Sequence, residues 1–166
     1  IAPVICLAST CMFAITGCGE KDTTIYAGKD QTLAEAIEQV KDGGTIKLDQ
    51  DINLENQVNV QKKFVLDLDG HTISNTTDIW NDPDTTVSNE NDTWSLISVK
   101  SNGDLTIKNG KMHAKENDCY AIDVRGGNLV IEDGTYIGNV SAIYVTEGNV
   151  TINGGEFYCV QQINTR

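Results

Sequence analysis

Apolar residues alternate with polar ones inside a ten-residue phrase that the chain repeats three times: GDLTIKNGKM from Gly103, GNLVIEDGTY from Gly127 and GNVTINGGEF from Gly148. The pairs Leu105 and Ile107, Leu129 and Ile131, and Val150 and Ile152 occupy every second position, which places each pair on one face of a strand. A strand this short cannot bury that face alone. Copies stacked at about 4.8 Å can, because like residues then build a continuous apolar column. Offsets of 24 and 21 residues between the copies are the length of one coil of a β-solenoid. A second strand per coil follows from CYAIDV at Cys119 and VSAIYV at Val140, which align Ala121 and Ile122 over Ala142 and Ile143. Gly110, Gly134 and Gly155 close the three phrases and are expected at corners with positive φ.

The pattern changes period once. Leu33, Ala36, Ile37 and Val40 recur at helical spacing, Thr32 with Glu35 three residues on forms a capping-box pair, and Gly43-Gly44 stops the run, which predicts a helix over 32–42. TIKL from Thr45 and DINL from Asp51 then begin the strand pattern, so the helix is expected to lie across the open start of the coil. Residues 19–30 read as a polar tether. The predicted fold is all-β, a right-handed parallel β-helix of about five coils with an N-terminal capping α-helix; the handedness comes from the crossover rule for parallel strands. The last coil carries no polar capping element, so either the domain, 31–166, continues beyond 166 or an end-to-end or C-terminal partner docks there.

Charge narrows the partners. The formal net charge is −12, spread over the chain, and Lys62-Lys63 is the only adjacent basic pair, so nucleic acid is not an expected partner. From Ile1 no charged residue occurs until Glu20, an apolar stretch that reads as the core of a secretory signal whose basic start is missing. Within it, Ala14-Ile15-Thr16-Gly17-Cys18 resembles a bacterial lipobox. That resemblance implies a signal peptide over 1–18, lipid attachment at Cys18, export to a bacterial cell envelope, and the membrane as a partner through acyl chains. Cys119 and Cys159 fall in different columns of the repeat, so no disulfide between them is indicated and both are expected as small buried thiols. No Cys or His spacing supports a zinc site.

The opening TLAEAIEQVKDGGTIKLDQDINL from Thr32, followed by KFVLDLDGHTIS from Lys63, resembles right-handed parallel β-helix proteins of the pectin-lyase-like kind over about residues 30–160. The resemblance bears on fold, since that fold hosts lyases, hydrolases, adhesins and structural spikes. Lyases of the family use acidic calcium ligands with an Arg or Lys base on the outer face. Asp123 and Arg125 are the nearest match here, but the next coil offers Tyr144 and Thr146 at the equivalent positions, and an outer-face charge pair is the expectation. His71 is expected at a corner, and His113 has no relay partner. No catalytic set is nominated.

The repeat is interrupted from Ser74 to Trp94 by SNTTDIWNDPDTTVSNENDTW, an excursion between two coils. Trp80 and Trp94 could offer flat faces to sugar rings, and Asp78, Asp82, Asp84, Glu90 and Asp92 could hold Ca2+ through oxygen ligands, although they lack the arrangement of an EF-hand loop. The candidate ligand-binding residues are Trp80, Trp94, Asp82 and Asp84. The expected function is a non-catalytic β-helix module of a cell-surface lipoprotein that binds a polysaccharide or a surface protein. Its alternatives are the N-terminal part of a polysaccharide lyase or glycoside hydrolase, and a structural spacer.

Overall fold

A computed structural model describes residues 23–75, 94–115 and 119–161. The chain winds as a parallel β-solenoid of about five coils whose strands stack in three rows. The first row holds β4 (Val58–Val60), β7 (Ser95–Lys100) and the leading halves of β10 (Tyr120–Ile131) and β12 (Ser141–Ile152). The second holds β1 (Thr24–Ala27), β2 (Gly44–Leu48), β5 (Lys63–Asp67), β8 (Asp104–Lys108) and the trailing halves of β10 and β12. The third stacks β3 (Ile52–Leu54), β6 (Thr72–Asn75), β9 (Lys111–His113), β11 (Thr135–Gly138) and β13 (Glu156–Cys159). Because β10 and β12 run on through a bend, the first two rows join into one eight-stranded sheet.

The strand pairings among the described residues are parallel, and the columns expected from the repeat are present. Ile25, Ile46, Leu66, Ile107, Ile131 and Ile152 pair in succession through six strands of the second row. Phe64, Leu105, Leu129 and Val150 form the neighbouring column. Ile46, Leu66, Ile107 and Ile131 have no solvent exposure, so each layer removes its neighbour's apolar surface from water, the dominant favourable term for a fold with short strands. The corners depart from expectation once. Gly134 and Gly155 adopt positive φ (110° and 108°), but in the first copy Asn109 takes the left-handed conformation (φ 63°), a role its short polar side chain permits. Gly110 is required there for space: a Cβ on it would lie 2.3 Å from Cβ of Leu68.

Helix α1 (Leu33–Gln39) is shorter than the expected 32–42. The capping box is formed, with Thr32 Oγ1 accepting from the Glu35 N–H and Glu35 accepting from the Thr32 N–H, but Val40 is already extended (φ −61°, ψ 133°). Lys62, across the coil, caps that end. Its Nζ donates to the carbonyls of Ile37 at 2.8 Å, Val40 at 3.0 Å and Glu38 at 3.2 Å, satisfying the orphan oxygens of the last turn. The helix packs Leu33, Ala36 and Ile37 against β1 and β4, as the placement over the first coil required. Inside the segment expected as a tether, Thr24–Ala27 form β1, which pairs with β2 and adds a rung to the second row. At the opposite end no strand stacks on β12 or β13 among the described residues. Val145, Ile152 and Phe157 continue buried columns yet are 47%, 53% and 37% exposed.

Coil length varies most at one corner. Partners in the third row are 21 residues apart between β3 and β6, and those in the first row 21 apart between β10 and β12, but β4 and β7 are offset by 39 and β7 and β10 by 25. The surplus residues fall between β6 and β7 and between β9 and β10, which is the passage from the third row to the first in both cases.

Candidate functional site

The first row carries the polar ladder of most chemical interest. In β4, Val58 and Val60 are buried while Asn59 is exposed, so Asn59 points away from the core. The register places Asn59, Ser98, Asp123 and Tyr144 side by side on four successive strands, hence on that same outward side. The signal was present in the chain as VNV, ISV, IDV and IYV. The 39-residue offset between the first two copies hid it.

Asp123 is fully buried although it faces outward, and Arg125 holds it through Nε donating to Oδ2 at 2.7 Å. The side chain of Arg125 is 14% exposed, so the outer-face charge pair expected from the alternation on the strand is largely covered. The anticipated match of Arg125 with Thr146 also fails: a bulge after Val124 shifts the register, and Arg125 lies beside Glu147. Two polar atoms of the ladder, Asp123 Oδ1 and Ser98 Oγ, are buried without a hydrogen-bond partner. Such atoms are uncommon in folded proteins and concentrate where a site holds something else or stores strain.

Beside this pair lies an aromatic stack. The rings of Tyr120 and Tyr144 are 4.6 Å apart between centroids and 9° from parallel, with Tyr120 half-buried and Tyr144 41% exposed. The backbone of Trp94 adjoins it, its carbonyl accepting from the Tyr120 N–H at 2.8 Å, and the Trp94 residue is half-buried. The margin of the first row therefore gathers three aromatic residues next to a buried acid and a partly exposed guanidinium. Flat rings beside fixed polar groups can take the apolar face of a sugar ring and its hydroxyls together. The stack was not foreseen, because Tyr120 and Tyr144 belong to different positions of their strands and meet diagonally.

The remaining candidates fall elsewhere. Trp80, Asp82 and Asp84, with the other carboxylates of the 74–94 excursion after Asn75, lie outside the described residues, as does Cys18. Among the described residues, no three His, Cys, Asp or Glu side chains gather to hold a metal ion. His71 stands at a corner, as expected, with Nδ1 3.4 Å from Asp51 Oδ1. The half-buried His113 has its basicity lowered by burial first, then by Lys111 and Lys115. Cys119 is buried and Cys159 is exposed, the latter contrary to expectation, because it sits on the uncovered last coil. Its Sγ donates toward the carbonyls of Val140 and Asn139 at 2.9 and 3.1 Å. Among the described residues no helix is long and apolar enough to cross a membrane.

No protein family matches the chain, and neither the curated proteins nor the solved structures contain a significant match to it.

Proposed function

We propose that the chain is a non-catalytic, glycan-binding β-solenoid module of an exported surface lipoprotein. The observation that carries the reading is the Tyr120–Tyr144 stack, with Tyr144 open to solvent and in register with Asp123, which Arg125 holds. One ring face of Tyr144 is engaged by Tyr120, which fixes its orientation at little further entropic cost and leaves the rest of the ring for a ligand. With a net charge of −12, a neutral glycan fits better than a polyanion, which the whole molecule would repel. Export and anchoring rest on the likeness of Ala14–Cys18 to a lipobox, and the pectin-lyase-like winding, with its right hand, on the opening from Thr32 and the crossover rule. A glycan array probed with the intact chain and with Tyr144→Ala tests the reading. Loss of neutral-glycan signal in the variant is expected, and equal signals would overturn it.

A second reading, a polysaccharide lyase or hydrolase, is favoured by one feature: a buried carboxylate held by an arginine with one oxygen unpartnered. Release of unsaturated sugar from an acidic polysaccharide, abolished in Asp123→Asn, would establish it in place of the first.

A further inference from the structure

We infer that the free edge of β3 is a docking groove for an extended peptide of neutral to basic character, bound by strand addition. In the third row every later strand stacks on a predecessor: β6 on β3, β9 on β6, β11 on β9 and β13 on β11. Ahead of β3 that place is vacant among the described residues, because the chain leaves β1 at Ala27, turns through Gly28–Thr32 and enters α1 directly. Among the described residues, Ile52, Asn53 and Leu54 pair with β6 on one side only, and no turn or loop backbone bond reaches them on the other. An unpaired edge presents N–H and C=O groups in the geometry that a further strand completes.

The vacancy has room and walls. A cleft of about 480 Å³ runs along this edge between the start of α1 and residues 50–58, a size within the ordinary range for ligand sites. Leu33, Leu54 and Val58 give it an apolar floor, with Ile52 half-buried, so alternate side chains of an added strand would find apolar contact. Asp51 and Glu55 are its charged lining residues, and no lysine or arginine lines it. Asp51 meets the imidazole of His71 and the Thr72 N–H but no lysine or arginine, so the two carboxylates favour a peptide carrying Lys or Arg and oppose an acidic one. The neighbours of the slot thus specify shape through backbone pairing and sign through charge. The site is separate from the Tyr144 margin on the first row and stands or falls independently of it.

Random heptapeptides displayed on phage, selected on the intact chain and then titrated as synthetic peptides against the protein's backbone amide NMR signals, test the inference. The expected winners alternate apolar residues and carry Lys or Arg, and they shift the amides of Ile52, Asn53, Leu54 and Ala34. Ala34 is exposed on the helix wall of the cleft, so Ala34→Trp should obstruct the groove and weaken binding by about tenfold or more with unchanged unfolding. Glu55→Lys should weaken basic peptides in a manner that added salt abolishes. Tyr144→Ala should leave peptide binding unchanged. Failure to enrich any peptide, enrichment of acidic ones, shifts confined to β12 and β13, or full binding by Ala34→Trp would each overturn it. So would a glycan that perturbs these amides where the selected peptides do not.

Discussion

Phe157 stacks on Tyr136 across the last two strands of the third row, with ring centroids 5.3 Å apart, yet Tyr136 is fully buried and Phe157 is 37% exposed. The two rings occupy the same column and differ only in having a layer on one side or both. Tyr136 also donates its hydroxyl to the Asp133 carbonyl at 2.8 Å, and burial keeps the phenol far from ionising. Replacing Tyr136 by Ala should cost about 3–5 kcal/mol, as for a fully buried ring. Phe157→Ala should cost roughly 1–2 kcal/mol, since much of its surface is already in water. Urea denaturation of the two variants measures the difference, and equal losses would contradict an uncovered final coil.

Lys62 joins the helix to the solenoid. Three carbonyls of the last helical turn depend on its ammonium, and Lys62→Met keeps the apolar stem while removing every donor. The expected loss is about 1–2 kcal/mol, with the helical circular-dichroism signal declining before the strand signal on heating. Lys63→Met, whose exposed amine only meets Asp104 at 3.3 Å, should change stability by less than about 1 kcal/mol.

Arg125→Ala leaves the carboxylate of Asp123 buried without a partner on either oxygen, and should destabilise by about 3–5 kcal/mol. Asp123→Ala strands a guanidinium that still reaches solvent, so its cost should be smaller. The double variant should be less destabilised than the sum of the two, and a thermodynamic cycle gives the coupling. Additive losses would show that the pair does not act as one unit.

Acid should weaken the fold in two stages. His113 is held below its ordinary value, chiefly by burial, so the folded chain resists a proton that the unfolded chain accepts. Its contribution is complete above about pH 6.5 and is lost as pH falls through that value toward the lower folded one. Asp67 is pushed up by burial, but the Asn109 amide, the Asp69 N–H and Lys108 outweigh this and lower it; Glu35 is lowered by the Thr32 N–H and hydroxyl. Their contributions hold above about pH 4 and are lost as pH falls through the depressed folded values. Urea midpoints measured from pH 8 to 3 should therefore fall in two steps, and His113→Gln should remove only the first.

Leu105, Leu129 and Val150 announced their column because each sits in a copy of one phrase, and the cap at Thr32 announced itself by local chemistry. What stayed illegible depended on partners distant in the chain. β1 is a single short strand, TIYA, in polar surroundings, and it exists because β2 offers it an edge. The last carbonyls of the helix are taken by Lys62, a contact spanning 25 residues. Asp123 was placed on the correct face, but alternation cannot reveal that an outward position is covered. Tyr120 meeting Tyr144 is likewise a property of stacked layers, invisible along either strand.

Most of the surplus length in the chain collects where the third row hands over to the first. Chain added there leaves the pitch of every layer untouched, because the strands on both sides keep their partners, and lengthening a loop raises closure entropy only slowly. A Gly-Ser graft after Lys115 should therefore be nearly silent in a thermal melt, whereas the same graft between Asp133 and Gly134 should unseat the layers beyond it. This margin also borders Trp94 and Tyr120, so the prism has a seam at which recognition can be rewritten while its architecture stays fixed.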